Sequence, residues 1–338
     1  MIVITGATGH LGNVLVRKLV SRNRKIRVMV LPGEDIASLE GLEVEKVEGD
    51  VCFPDSLRKV FEGADIVYHC AGVISIIPGQ QKQLFQVNVI GTRNVVNICL
   101  EKKVKRLVYV SSIHALSEPE PGIIFNESRQ FDPENVLGEY SRSKALGTLE
   151  VIKGIERGLD AVILCPSGII GPHDYRVSEM GKLIVDFFNG KVKAYVEGAY
   201  DFVDVRDVAE GLISACRKGK KGECYILSGQ QISVKKILKY LEKMSGVRAP
   251  AVKVPHRIAR VVGLFNVLYC NLLKITPLFT PFSIDVLASN SLVSCRKAQD
   301  ELGFSSRPVY ESIKDAIRWF KEKSIILDTK KEDFLKFM

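Results

Sequence analysis

The chain opens on a short apolar run, Ile2–Thr5, which gives way to three glycines in TGATGHLG. Apolar positions then recur at Leu11, Val14, Leu15 and Leu19. Steps of three and four place these side chains on one face of a helix. Ile26–Leu31 is a second apolar run of strand length. The alternation continues with Leu42–Val47 as a strand and Asp55–Phe61 as a short helix. Ile66–Cys70 predicts a strand closed by Ala71-Gly72, and Leu84–Lys103 a long amphipathic helix. Arg106–Ser111 predicts a strand, Tyr140–Arg157 a helix, and Ala161–Leu164 a strand ended by Pro166. Apolar strands separated by helices predict a largely parallel sheet covered on both faces. Between them, residues 113–138 carry two Glu-Pro dipeptides and one Asp-Pro, which predict an extended active-site segment.

Beyond residue 169 the pattern changes. Gly171-Pro172-His173-Asp174 predicts a loop, Lys182–Phe188 a helix and Lys191–Val196 a short strand. Asp201–Asp207 leads into a helix that starts near Val208, and Glu223–Leu227 predicts a strand returning to the sheet. Residues 233–245 and Glu311–Lys321 predict helices, and the charged tail beyond Lys323 is expected to be peripheral. Within the apolar segment 256–273, the run IARVVGLFNVLYCNLL has one arginine and no acid. It is too short and too interrupted for a membrane span. A helix over an apolar pocket, plain core, and a surface resting on a membrane or partner are all compatible with it.

The fold class that follows is α/β, a Rossmann-type doubly wound parallel sheet with a smaller C-terminal substrate-binding domain. Residues 1–168 are expected to form the dinucleotide-binding domain, with returning elements at about 205–228. Residues 169–204 and 229–338 are expected to form the substrate-binding region, over the carboxyl ends of the strands.

The glycine turn carries the first chemistry. The first glycine permits a tight turn, the second lets backbone approach a pyrophosphate, and the third lets helix and strand pack closely. The unpaired N–H groups of the helix then face the anion. Ligands of such sheets bind beyond the carboxyl ends of the strands. Gly6–Gly12, Asp50, Ala71-Gly72, Ser111-Ser112 and Cys165–Gly168 all fall there. Tyr140 and Lys144, four apart on a helix, share a face. A nearby ammonium favours the phenolate and should lower the tyrosine pKa, so the pair can move a proton to or from a carbonyl or hydroxyl. A serine hydroxyl such as Ser112 can polarise the same oxygen.

Composition narrows the classes. An apolar share of 46% and a charged share of 26% are those of a globular protein. Lysine and arginine exceed the acids by 48 − 39 = 9, which suits anionic ligands and also plain solubility. The bases are scattered without interleaved aromatics, so nucleic acid is not an expected partner. The eight cysteines include no pair at CxxC spacing and read as reduced core residues. The five histidines show no ligand spacing, and no metal is expected. Met1 leads directly into the first strand, which makes a cytoplasmic location, without stable membrane insertion, the expectation.

TGATGHLG, Asp50, Ala71-Gly72, VNVIGTRNV with Asn88, VYVSSIHA, YSRSK and CPSGIIGPHD together resemble the extended short-chain dehydrogenase/reductase family. The later DFVDVRDVAEGL and SIKDAIRWF also match, so the resemblance covers about residues 1–322. The similarity is greatest to the dihydroflavonol-reductase-like, 3β-hydroxysteroid-dehydrogenase-like and nucleotide-sugar-epimerase-like branches. The resemblance implies Tyr140 as the acid/base, Lys144 as the residue that positions the nicotinamide ribose, and Ser112, preferred to Ser111, as the group orienting the substrate oxygen. It implies cofactor contacts from Gly6, Thr8, Gly9, His10, Leu11 and Gly12, from Leu31, and from Asp50 and Val51 at the adenine. Ala71, Gly72 and Ser111 would join them, and Asn88 would brace the site. Pro166, Gly168 and Ile169 would line the nicotinamide pocket. Cys165 stands where the family usually has arginine. The resemblance also implies a homodimer built on the helices around 88–102 and 141–157.

The cofactor is expected to be NAD(P). Leu31-Pro32-Gly33 ends the second strand without the acid usual for NAD, which gives a slight lean to NADP(H). Arg27 would support that lean if its side chain reached around, and Asp35 would oppose it. The leading function is an NAD(P)-dependent oxidoreductase acting on the hydroxyl or carbonyl of a fairly apolar small molecule. The alternatives are a nucleotide-sugar epimerase/dehydratase, for which Arg206 is a candidate diphosphate partner, and a cofactor-sensing binding protein without catalysis.

Overall fold

The computed structural model describes residues 1–75, 79–120, 122–273, 281–288 and 292–326. The first half alternates as β1 (Ile2–Thr5), α1 (His10–Val20), β2 (Ile26–Val30), β3 (Glu45–Glu48), α2 (Pro54–Val60) and β4 (Ile66–His69). A helix follows that starts as α3 (Gln81–Leu84), passes through a π-helical stretch (Phe85–Gly91) and continues as α4 (Thr92–Glu101). Then come β5 (Arg106–Val110), α5 (Gly138–Glu156) and β6 (Ala161–Pro166). The downstream chain forms β7 (Gly168–Ile170), α6 (Glu179–Phe188), β8 (Ala194–Val196), β9 (Ala199–Asp204), α7 (Val205–Lys218) and β10 (Cys224–Leu227). It continues as β11 (Gln230–Ser233), α8 (Val234–Ser245), β12 (Val252–Val254), α9 (His256–Leu273), α10 (Pro281–Ala288), α11 (Arg296–Leu302) and α12 (Val309–Glu322).

Seven strands form the main sheet in the order β10-β6-β5-β4-β1-β2-β3, and every neighbouring pair is parallel. The strand order reverses between β1 and β4, so the helices leaving those strands go to opposite faces and open a crevice at their carboxyl ends. One face is covered by α1, α7 and α11, through Leu15, Leu19, Val208, Leu212 and Ala298. The other is covered by α2, α4 and α5, through Leu57, Val95, Cys99 and Val151. A second core joins α6, α8 and α12 around Ile184, Leu241, Ile313 and Phe320. It lies beside a three-stranded sheet, β11-β9-β7. A parallel pair, β12-β8, completes the described strands. No described helix is long and apolar enough to cross a membrane.

The structure moves several expected boundaries. The third strand begins at Glu45 rather than Leu42, because Leu42 packs under the sheet while β3 is an exposed edge strand. The helix expected at 84–103 starts at Gln81, and its middle is widened to π geometry around Asn88. Such stretches often mark functional sites, and here Asn88 bonds both the N–H and the carbonyl of Val73, in the segment after β4. α7 starts at Val205 rather than near Val208, because Asp204 caps it by accepting the Arg206 N–H at 2.8 Å. The segment 256–273 has helical backbone, whereas the tail beyond Ile326 lies outside the described residues. α11 returns to the sheet, with Cys295, Ala298, Leu302 and Phe304 buried beneath it.

Candidate active site

The glycine turn lies between β1 and α1. Gly6 has φ +70°, and a Cβ there would stand 2.6 Å from the Ala71 nitrogen. A Cβ on Gly12 would stand 2.1 Å from the Gly6 carbonyl oxygen. Only hydrogen fits at either position, so α1 sits hard against the ends of β1 and β4. Gly9 caps α1 without a side-chain bond, and no acid occupies the first turn. The first N–H groups of α1 therefore face the crevice as an anion-binding cradle, and the turn fits a dinucleotide pyrophosphate. Thr8 is buried and Leu11 packs into the core. His10 Nε2 meets the Pro172 carbonyl at 3.0 Å.

The adjoining strand ends are held in place by side chains. The Asp50 carboxylate accepts the Cys52 N–H at 2.8 Å, and the Val51 carbonyl accepts from Asn94 Nδ2 at 2.9 Å. The Ala71 N–H donates to Thr5 Oγ1 at 3.2 Å. Asn88 accepts the Val73 N–H at 2.8 Å and donates to the Val73 carbonyl and to Ser143 Oγ, each at 2.9 Å. It thereby ties the Ala71-Gly72 turn to α5. His69, beside this turn, bonds Thr5 Oγ1 at 2.8 Å and Thr92 Oγ1 at 3.2 Å, and burial pushes its pKa down to about 3. It is a neutral, satisfied core histidine.

Ser112, Tyr140 and Lys144 meet at the ends of β5 and α5. Lys144 is buried, donates to the Val110 carbonyl at 2.7 Å, and lies 4.8 Å from the Tyr109 ring centre. Burial disfavours its ammonium, yet the phenols of Tyr109 and Tyr140 and the Cys165 thiol hold its pKa above the usual lysine value. Burial also raises the Tyr140 phenol above its ordinary value; the Lys144 charge and the Ser112 hydroxyl pull it down, but by less. The expected lowering is thus reversed in net sign, because removal of the phenolate from water outweighs the ammonium's attraction. The Ser111 hydroxyl instead pairs with Thr148 Oγ1 at 2.7 Å inside the core. Of the serine pair, only Ser112 reaches the tyrosine.

The downstream chain adds side chains that local spacing does not reveal. Tyr200, on β9, bonds His114 Nε2 at 2.6 Å, and the two rings stack. Burial raises the Tyr200 phenol, with the nearby Tyr140 adding to the rise, while burial lowers His114 to about 4. The rings of Tyr200 and Phe202 lie over Gly168, in the strand that follows Pro166. At the far end of the crevice, Glu34 accepts from Thr8 Oγ1 at 2.7 Å and from the Leu31 N–H at 3.0 Å. Arg176 pairs with Glu34 and donates to Thr8 Oγ1 at 2.9 Å. The signal for Glu34 was a glycine-acid step just after β2. His114 sits two residues past Ser112, but nothing in the spacing marked Tyr200 or Arg176.

Three arginine and acid expectations change. Arg27 points to the opposite end of its strand, where it donates to the carbonyls of Val60 and Glu62 and pairs with Glu45 at 3.0 Å. It gives no support to NADP(H). Asp35 accepts the Ala37 N–H at 2.9 Å, at the start of a short 3₁₀ turn, so its carboxylate is engaged by local backbone. Arg206 is bound to Asp204 at 2.7 Å and to Asp315 at 2.8 Å, which leaves its guanidinium neutralised within the fold. Cys165 is buried, with its sulfur 3.4 Å from that of Cys224. Among the described residues, no group of three or more His, Cys, Asp or Glu is gathered as a metal would require.

The sequence profile of the NAD dependent epimerase/dehydratase family matches residues 2–228. The chain is 36% identical over 326 residues to sterol demethylase protein B of Methylococcus capsulatus, covering 96% of this chain and 99% of that one. It is 30% identical over 350 residues to 3beta-hydroxysteroid-dehydrogenase/decarboxylase isoform 1 of Arabidopsis thaliana, covering 94% of this chain and 79% of that one. The crystal structure of gox2253 superposes with a TM-score of 0.85 at 32% identity, covering 97% of this chain and 99% of that one.

Proposed function

The chain belongs to the NAD dependent epimerase/dehydratase family, an extended short-chain dehydrogenase/reductase group, and on that premise we propose that Ser112, Tyr140 and Lys144 serve hydride chemistry at a C–OH/C=O centre. The observation that carries this reading is the meeting of those three side chains at the carboxyl end of β5, beside the glycine cradle. When bound, the nicotinamide ring supplies or accepts the hydride. Burial keeps Tyr140 protonated at neutral pH, which is the form that donates a proton to an oxygen gaining negative charge. In the reverse direction the phenolate takes that proton, and the Lys144 ammonium stabilises it. Ser112 donates a hydrogen bond to the same oxygen.

The remaining roles go with this reading. Gly6, Thr8, Gly9, His10, Leu11 and Gly12 would hold the pyrophosphate end, with Leu31, Asp50 and Val51 toward the adenosine. Ala71, Gly72, Ser111, Pro166, Gly168 and Ile169 would flank the nicotinamide end, with Asn88 as the brace. Residues 169–204 and 229–338 would bind substrate, with the stretch from Cys295 to Phe304 serving the sheet. The exposed sides of α4 and α5 would pair two copies.

We assign the substrate as an apolar alcohol or ketone. Ile74, Ile123, Ile124 and Leu137 are exposed in the loops that leave the carboxyl ends of β4 and β5. Apolar side chains left in water at a cleft mouth favour an apolar ligand. Two relatives carry names that refer to sterols or steroids, which supports the same class. The family description itself supports the second reading, epimerase or dehydratase chemistry, more directly than it supports a net reductase. Arg206 does not strengthen that second reading, since its charge is already paired.

Reduced nicotinamide cofactor offered with a panel of polycyclic ketones, and separately UDP-sugars with oxidised cofactor, decides between them. Net oxidation of the cofactor by ketones supports the oxidoreductase. Sugar conversion without net cofactor change supports the epimerase/dehydratase. Cofactor affinity with no turnover on either panel leaves the non-catalytic binding protein.

A further inference from the structure

Glu34 and Arg176 lie 142 positions apart in the chain and meet on one hydroxyl, that of Thr8 in the glycine turn. Glu34 is fixed by Thr8 Oγ1 at 2.7 Å and by the Leu31 N–H at 3.0 Å, and its side chain is only 12% exposed. Arg176 comes from the loop between β7 and α6, which is itself docked on α1. His10 holds the Pro172 carbonyl at 3.0 Å, and Arg17 donates to the Tyr175 hydroxyl at 3.1 Å. Asp174 accepts the Ser178 N–H at 2.9 Å and shapes the turn that presents Arg176.

The carboxyl end of β2 is where the adenosine ribose of a bound dinucleotide lies. A carboxylate at that place accepts from the ribose hydroxyls and repels a 2′-phosphate. A guanidinium does the opposite, since it pairs with phosphate in a bidentate fashion. Here both charges are present and bonded to each other. We propose that Glu34 and Arg176 form an opposed charge pair that selects NAD(H). In this pair Glu34 reads the ribose diol and silences Arg176, which becomes a phosphate-binding group only when Glu34 is removed. This rests on the dinucleotide reading of the glycine turn and deepens it. It also explains how an NAD-type acid can be present although Leu31, at the end of β2, is apolar.

The pair makes a prediction that neither residue makes alone. Binding of NADH and NADPH is measured by quenching of the single tryptophan, Trp319, or by calorimetry, for the wild-type chain, Glu34→Gln, Arg176→Gln and the double variant. Wild type should bind NADH at least about tenfold more tightly than NADPH. Glu34→Gln should tighten NADPH about tenfold, and this gain should vanish in the double variant. Arg176→Gln alone should weaken NADPH further while keeping NADH within about threefold. Thermal midpoints close to wild type show that the variants fold. A wild-type preference for NADPH, or a Glu34→Gln gain that persists without Arg176, overturns the pair. Binding of neither dinucleotide to the wild type overturns the glycine-turn reading along with it.

Discussion

The carboxyl edge of β1, β4 and β5 and the downstream layer around β7 and β9 build one site by different means. At the edge, position comes from backbone contact and short spacing. Gly6 touches the Ala71 backbone, Gly12 touches Gly6, and Tyr140 and Lys144 share one turn of α5. In the downstream layer, position comes from long side chains that cross the molecule. Tyr200 reaches His114 over 86 positions, and Arg176 reaches Thr8 over 168. The first mode makes chemistry hard to lose without losing the fold. The second makes selectivity adjustable by single substitutions. Substitutions at the edge should therefore abolish function, and those in the downstream layer should tune it.

Lys144→Met tests the edge most severely. Methionine keeps the buried volume but removes the charge that opposes burial at Tyr140, so kcat should fall about 10³-fold. A loss under tenfold, from steady-state rates, would show that the ammonium is structural only. The two serines separate edge chemistry from edge packing. Ser112→Ala should lower kcat about 10²-fold, whereas Ser111→Ala, which keeps the backbone that flanks the nicotinamide end and removes the hydroxyl bonded to Thr148 in the core, should mainly lower the thermal midpoint and cost kcat much less. Equal rate losses would erase that distinction. In the downstream layer, Tyr200→Phe should cost about tenfold in kcat, because it removes the 2.6 Å bond that holds the His114 ring beside Tyr140. A loss as large as that of Lys144→Met would make the downstream layer part of the reacting core.

Acid should weaken both regions together. Burial holds His69 at about 3 and His114 at about 4, below the unfolded value of 6.5. As pH falls, the unfolded chain binds protons first. The stability supplied by the neutral rings is complete above about pH 6.5 and is lost as pH drops toward 4. Each ring contributes a slope of up to about 1.4 kcal/mol per pH unit in that window. Thermal midpoints measured from pH 7.5 down to 5 should decline steadily, and a flat profile would contradict the neutral, buried state.

The sheet was readable because each strand–turn–helix unit declares itself within about 30 residues. TGATGHLG, the Ala71-Gly72 turn and the Tyr140/Lys144 spacing are all local. The π-helical widening at Asn88 was not readable, since its partners, Val73 and Ser143, come from other elements. The sign of the Tyr140 shift lies beyond the sequence for a related reason: spacing reports the nearby ammonium but not the burial that outweighs it. Glu34 was within reach of the sequence, three residues past Leu31. Its meaning depends on Arg176, which sequence order places far away. Arg27 and Arg206 failed in the opposite sense, since their charge was legible but their partners were not.

The most direct test of the account is Tyr140→Phe. Whichever substrate class turns over, hydride transfer in the wild type and in the variant is followed by nicotinamide absorbance, with dinucleotide affinity measured alongside. The account predicts that cofactor affinity stays within a few-fold while the rate falls at least about 10³-fold. Carbonyl reduction by the wild type should be level near neutrality and decline only at alkaline pH, where the raised phenol ionises. A variant that keeps its rate, or loses it only in proportion to lost cofactor binding, would contradict the assignment of the proton to Tyr140.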